Sequence, residues 1–247
     1  MGLGDLVGKG LGPVGHRFAP QLTTGFVREV LHRAVDGFGK LPGAAESADK
    51  RLADNKGDAD QAVHDLIEAH VRLAGVQGFL TNIGGIATMA FTVPANLTGL
   101  AVLQCHLVAG IAHLRGYDLA DPRVRNAVLS CLLGEDAQEE LVKKGTLPSS
   151  PMGIATAPVH DPAVDDATAA AVTNELLGRI GGRRMVLTIS RRVPVLGGGV
   201  GAISDAVSTY RVGRFADREL LMRQPPGAPP PGAPPPGAPP PGAPKPG

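Results

Sequence analysis

Tryptophan is absent from this 247-residue chain, aromatic residues make up 3% of it, and only two cysteines occur. Sheet sandwiches fill their interiors with aromatic and β-branched side chains, so this shortage argues against one. Glycine is plentiful instead, at 34 residues. A core of Ala, Leu, Val and Gly lets helix backbones approach closely, and the expectation is an all-α protein. Cys105 and Cys131 are too few for a disulfide framework. Both stand in apolar runs and read as small core residues of a reducing compartment, with one disulfide as the alternative. A net charge of +1 and few stacking aromatics speak against nucleic acid as a partner. Residues 1–6 show neither the basic nor the apolar stretch of a secretory signal, and Leu6 stands where myristoylation needs Ser or Thr. These absences predict a cytoplasmic protein.

The longest absence is of charge. From 73 to 114, 42 residues pass without Asp, Glu, Lys or Arg, and Pro94 sits near the middle. Each half is about long enough to cross or line a bilayer core, and residues 92–96 read as the turn of a helical hairpin. Gln77, Asn82, Gln104, His106 and His113 dilute its hydrophobicity, which argues against lipid on every side. Three settings stay open: in lipid, against lipid, or inside a protein core. Gly84, Gly85 and Gly99 within the run, and Gly197 and Gly201 later, offer small residues for helix packing, in part as Ala95-x-x-x-Gly99 and Gly197-x-x-x-Gly201.

Around the hairpin the chain divides into an N-terminal arm (1–22), a helical domain (23–223) and a tail (224–247). Thr23 or Thr24 caps a helix with Phe26, Val27, Val30, Leu31, Ala34, Val35 and Phe38 at helical spacing, ended by Gly37, Gly39 and Pro42. A weaker helix follows over 44–52. Asp58 or Asp60 then opens one whose inward face carries Ala62, Val63, Leu66, Ile67, Ala69, Val71 and Ala74, with Asp65, Glu68 and Arg72 facing out. Asp121 with Pro122 starts a helix over 122–133, and another spans 136–144. Residues 145–162 read as a long loop. Asp165 or Asp166 caps a helix to about 180, and the last helix covers 202–222. The tail repeats Pro-Pro-Pro-Gly-Ala with glycine at 227, 232, 237, 242 and 247. A period of five cannot form collagen, so the tail is expected to be a disordered polyproline II tether of up to about 70 Å, either a spacer or a docking segment for a protein partner.

Charge is unevenly spread. Seven acids occur over 135–166, whereas Arg179, Arg183, Arg184, Arg191 and Arg192 crowd into 14 residues. Beside an apolar segment, such arginines resemble a polybasic patch for anionic headgroups. The alternative is a solvated face that forms salt bridges to the acidic stretch. Catalytic patterns are missing. His64, Glu68 and His70 lack the His-Glu-x-x-His spacing of zincins and read as ordinary surface-helix histidines. His106 and His113 share a face and read as hydrogen-bonded core histidines, with a pocket as the alternative. The glycines over 197–201 precede no Lys-Ser/Thr, which excludes a P-loop, and Ser149 and Ser150 lack a nucleophile elbow.

Two segments carry a family resemblance. Gly84-Gly85 through Tyr117-Asp118-Leu119-Ala120-Asp121-Pro122-Arg123-Val124-Arg125, and Arg191-Arg192-Val193-Pro194-Val195-Leu196-Gly197 through Gly213-Arg214-Phe215-Ala216, resemble the EcsC family of bacterial proteins. The likeness covers about 60–220. Gly116-Tyr117-Asp118 is a variant of that family's turn, and Thr92-Val93-Pro94 lacks the acidic residue often found before its hairpin proline. The resemblance implies a membrane-associated helical protein, of a kind encoded beside an ABC transporter and without a demonstrated activity, so no catalytic residues carry over.

The expectation is an all-α, compact multi-helix domain around a Gly/Ala-rich apolar hairpin. Its function is that of a non-enzymatic accessory protein, peripheral to the inner face of the plasma membrane, with no cofactor and no metal. Arg179, Arg183, Arg184, Arg191, Arg192, Phe79, Phe91, Pro94 and Leu97 are the expected contacts to the membrane surface or a membrane-protein complex, such as an ABC transporter. A soluble helical scaffold or cargo-type protein, tethered to a larger assembly by its Pro-rich tail, is the alternative.

Overall fold

Five helices begin at a side chain placed to accept an orphan backbone N–H. Thr23 Oγ1 accepts from Phe26 N, Asp58 Oδ1 from Gln61 N, Asp121 Oδ1 from Arg123 N, Ser150 Oγ from Gly153 N and Asp161 Oδ1 from Ala163 N. The computed structural model describes residues 23–37, 42–83, 89–190 and 197–223, with side chains at 23–37, 42–76, 99–178 and 203–223. Among them stand nine helices and no strand: α1 (Thr24–Asp36), α2 (Ala44–Asp54), α3 (Ala59–Ile83), α4 (Met89–Leu114), α5 (Pro122–Cys131), α6 (Glu135–Lys143), α7 (Pro151–Ala155), α8 (Pro162–Ser190) and α9 (Gly197–Glu219). The fold is all-α, as expected. The arm and the Pro-rich tail lie outside the described residues.

Three expectations need correction. The hairpin does not turn at 92–96, because α4 already begins at Met89 and runs through Pro94. Proline's fixed φ is helical and its missing N–H removes one bond from a 26-residue helix, so the penalty is local. α3 ends at Ile83 and α4 begins at Met89; residues 84–88, among them Gly84 and Gly85, lie outside the described ones. The helix expected from Asp165 or Asp166 starts at Pro162 instead, capped by Asp161, and continues through Arg179, Arg183 and Arg184 to Ser190. Asp-Pro opens it just as Asp121-Pro122 opens α5. Finally, the loop over 145–162 contains α7, which Ser150 and Pro151 start.

α4 is the central element and packs against α1, α2, α3, α5 and α9. Leu107, Val108, Ala109, Ile111 and Ala112 are fully buried. This accounts for the lack of charge in the second part of the uncharged run: an unpaired charge on a buried helix would cost several kcal/mol. The apolar stripe of α1, namely Val27, Val30, Leu31, Ala34 and Val35, joins the same core.

Two neighbouring side chains of α3 set the helix spacing. A Cβ on Gly110 of α4 would stand 2.7 Å from Leu66 Cδ2, and one on Gly213 of α9 would stand 3.0 Å from Ile67 Cγ1 and 3.1 Å from Leu107 Cδ2. Leu66 and Ile67 thus fill the space left by two glycines on two different helices. At the C-terminal end of α4, Gly116 takes φ +84° to close the helix, and Tyr117 N donates to Ala112 O at 3.0 Å. Arg115 then binds Asp60 at 2.5 Å and Asp217 at 2.6 Å, tying the start of α3 and the end of α9 to the end of α4. Arg223 N donates to Arg115 O at 2.8 Å, and its guanidinium lies 5.3 Å from the centre of the Tyr117 ring.

The glycine contacts give opposite signs at two helical positions. Gly213→Val is expected to lose about 1–3 kcal/mol through overpacking. Gly178→Ala, where an added Cβ meets nothing within 4 Å, should gain up to about 1 kcal/mol from helix propensity. Urea denaturation reads both; equal stability of Gly213→Val and the parent would mean that α3 and α9 separate without cost.

Candidate functional site

α3 and α9 run antiparallel. Ile67 meets Gly213, while Arg115 holds Asp60 and Asp217 together. Counting from Ile67 and Gly213, Leu73 and Val76 of α3 lie at the levels of Val207 and Ile203 of α9. These four and Tyr210 are 43% to 65% exposed. On α9 they recur at i, i+4 and i+7, which is one helix face. The strip begins where the charged part of α3 ends, at the exposed Glu68–Arg72 ion pair. None of these five is among the individually expected contacts, although Leu73 and Val76 belong to the uncharged run, because helical periodicity identifies an apolar face without saying whether anything covers it.

Of the polar residues of the uncharged run, Gln104, His106 and His113 are engaged by protein groups, and the side chains of Gln77 and Asn82 lie outside the described set. Gln104 Nε2 donates to Ser208 Oγ at 3.2 Å and to Thr209 Oγ1 at 3.3 Å, which joins α4 to α9. His113 Nε2 meets Asp49 Oδ1 at 2.7 Å. His106, 3% exposed, faces His70 of α3 with 2.9 Å between Nδ1 and Nε2. His106 is thus the hydrogen-bonded core histidine the sequence suggested, whereas His113 is hydrogen-bonded but partly exposed, against the exposed Asp49. His70 was expected on the surface but is 5% exposed. The available signal was its spacing: it lies four residues after Leu66 and four before Ala74, on the apolar face. His64 is exposed, as expected.

Burial pushes His70 down to about 4 and also lowers His106, against which the Pro42 and Gly43 carbonyls act. Both thiols are free and buried, so the disulfide alternative falls, and burial pushes both upward in pKa, leaving them unreactive. Among the described residues, no group of three or more His, Cys, Asp and Glu side chains could hold a metal ion.

The other expected site residues are placed by backbone alone or not at all. Phe79 lies on α3; Phe91, Pro94 and Leu97 lie on the first turns of α4; Arg179, Arg183 and Arg184 lie on the second half of α8. Their side chains are outside the described set, as are Gly84, Gly85, Arg191 and Arg192 altogether. Gly99 is half-buried, and Gly197 and Gly201 fall in the first turns of α9. Most acids of the 135–166 stretch have partners other than those arginines. Glu135 binds Arg218, Glu139 binds Lys143, Glu140 binds Lys144, His160 meets Asp165, and Arg28 binds Asp166. Among the described residues, no helix is long and apolar enough to cross a membrane.

The model of the EcsC protein family matches residues 51–224. The chain belongs to the EcsC protein family. The matched region of this EcsC protein starts in α2 and ends just beyond α9, and it contains both the exposed strip and the Arg115–Tyr117–Arg223 junction. α1 precedes it, yet packs into the same core. No curated protein and no solved structure matches the chain.

The buried histidines set a pH dependence. Unfolded, they titrate near the ordinary 6.5; folded, they resist protonation, with His70 near 4. The unfolded state therefore binds more protons as pH falls from about 6.5 toward about 4, and stability is lost across that window. Asp121, held by Arg123, and Asp65, held by Asn55 and Gln61, titrate below the ordinary 3.8 and so outside it. Melts of the parent should fall more steeply across this range than those of the His70→Gln/His106→Gln variant, a comparison that cancels the other histidines. Parallel curves would contradict this assignment.

Proposed function

We propose that this EcsC protein is a non-enzymatic accessory protein, attached peripherally to the inner face of the plasma membrane. The exposed apolar strip of Leu73, Val76, Ile203, Val207 and Tyr210 meets lipid or a membrane-protein partner, and the arginines of 179–192 meet anionic headgroups. These exposed apolar side chains carry the reading: they stand at matching levels on two neighbouring helices, and apolar surface of this kind favours a membrane or a protein partner. The uncharged sequence beyond Val76 extends the same character. Pairing of Glu135, Glu139, Glu140, Asp165 and Asp166 elsewhere weakens the alternative in which these acids neutralise the arginines. Near an anionic surface each basic residue contributes on the order of 1 kcal/mol. A membrane-protein complex such as an ABC transporter is the partner that the family resemblance implies.

A second reading draws on the burial of residues 100–112 of α4, which makes that part of the uncharged run a protein core. Here the protein is a helical scaffold that its Pro-rich tail ties to a larger assembly.

Fractionation of native cells tests both. The protein is expected in the membrane pellet and released by high salt or carbonate. Leu73→Glu/Ile203→Glu/Val207→Glu should move it to the soluble fraction without changing its melting temperature, since all three side chains are exposed. Replacing Arg183, Arg184, Arg191 and Arg192 by Glu should abolish binding to anionic vesicles. Retention of both variants on membranes would overturn the reading. Loss of a partner on deletion of 225–247, with membrane behaviour intact, would favour the scaffold.

A further inference from the structure

His70 and His106 stand where the main core ends. Ala74, one turn past His70, packs with Leu100 and Leu103, the latter three residues before His106, in a small separate cluster. The pair therefore marks the base of the α3/α4 hairpin. Its ring centroids are 5.2 Å apart and the planes differ by 27°. Four ring nitrogens form a line between two carbonyls. His70 Nδ1 lies 2.8 Å from Leu66 O, His70 Nε2 lies 2.9 Å from His106 Nδ1, and His106 Nε2 lies 3.1 Å from Pro42 O.

Counting protons shows what this line needs. A carbonyl oxygen only accepts, so each outer nitrogen must carry a proton to bond its carbonyl, and the inner contact needs one more. Three N–H groups on two imidazoles amount to one positive charge. A neutral pair holds two, so one outer nitrogen presents a lone pair. With His70 Nδ1 donating to Leu66 O and His106 Nδ1 donating to His70 Nε2, that nitrogen is His106 Nε2. Ser47 Oγ of α2, 3.3 Å away, can donate to it.

We propose that the His70–His106 pair is a one-proton switch at the base of the hairpin. The proton comes from solvent and lands on His106 Nε2, which then stops accepting the Ser47 hydroxyl and donates to the Pro42 carbonyl. The resulting charge is shared across the inner N–H···N contact. Acidification thereby transfers His106 Nε2 from the Ser47 hydroxyl of α2 to the Pro42 carbonyl between α1 and α2.

The surroundings oppose a second proton. Arg51 of α2 acts on His70 with like charge. Among nearby acids, Asp49 of α2 is engaged by His113 of α4, Glu68 of α3 by Arg72, and Asp36 of α1 by His32 and Arg125. Glu29 of α1 binds Arg33, Glu46 of α2 is exposed, and Cys105 of α4 is a buried neutral thiol. From α9, Ser208 and Thr209 are held by Gln104, and Asp205 is buried and partnered.

The test is a titration of the full-length chain with 15N-labelled histidine, followed by NMR from pH 8 to 4. Both rings should move with one common midpoint below the ordinary 6.5, His70 Nδ1 and His106 Nδ1 staying protonated while His106 Nε2 alone gains a proton. Ser47→Ala removes the donor that serves the neutral state. It should raise the midpoint by about 0.5 to 1 pH unit, equivalent to one neutral hydrogen bond. Independent titration of the rings, uptake of two protons, a pair still neutral at pH 4, or an unmoved midpoint in Ser47→Ala would each overturn the proposal.

Discussion

The close approach of α3 to α4 and α9, at Gly110 and Gly213, is the contact on which the other features depend. Leu66 and Ile67 reach into both gaps from adjacent positions on one helix, which fixes the spacing and register of all three helices at once. With α1, α2 and α5 on its other sides, the part of α4 from 100 to 114 is then largely enclosed by protein. Enclosure explains why charge disappears from its sequence and returns at Arg115, the first residue past its end. There the guanidinium satisfies carboxylates from α3 and α9, so the three helices joined by glycine contacts in the middle are joined by ion pairs at one end. An ion pair of this kind is only 12% and 16% exposed at Arg115 and Asp217, unlike the surface pairs of α6, and it fixes geometry that exposed pairs cannot.

Away from that end the same helices change character. Gln104, His106 and His70 replace aliphatic packing with hydrogen bonds, and beyond them α3 and α9 expose apolar side chains to solvent. The molecule thus grades from a closed core through a polar seam to an open apolar strip. The seam and the strip involve the same helices, so the proposed proton uptake would occur beside the surface proposed to meet the membrane.

Much of the architecture was legible in the sequence. The residues facing inward on α1 and on the first half of α3 follow from spacing, since a helix that buries one side must repeat its apolar residues every three to four positions. Thr23, Asp58 and Asp121-Pro122 mark helix starts because their chemistry is local. Asp161-Pro162 carries the same local chemistry but was passed over for the later acids Asp165 and Asp166. Pro94 misled for a different reason: a proline weakens a helix locally, while whether the helix continues depends on its packing elsewhere. His70 was misplaced because a polar residue on an apolar face has its burial decided by a partner, and that partner is 36 residues away.

Sequence alone determined the helical class, the family resemblance, the uncharged run and the clustering of the arginines, all properties of local composition and short-range spacing. Tertiary structure alone decided that the second part of the uncharged run is core, that Leu66 and Ile67 fit against two glycines, that two distant histidines share a hydrogen bond, and which apolar faces stay uncovered. Each of those facts depends on which helices are neighbours. A hydrophobic pattern specifies that a face is buried, but the neighbour that buries it is set by the close packing of the whole chain.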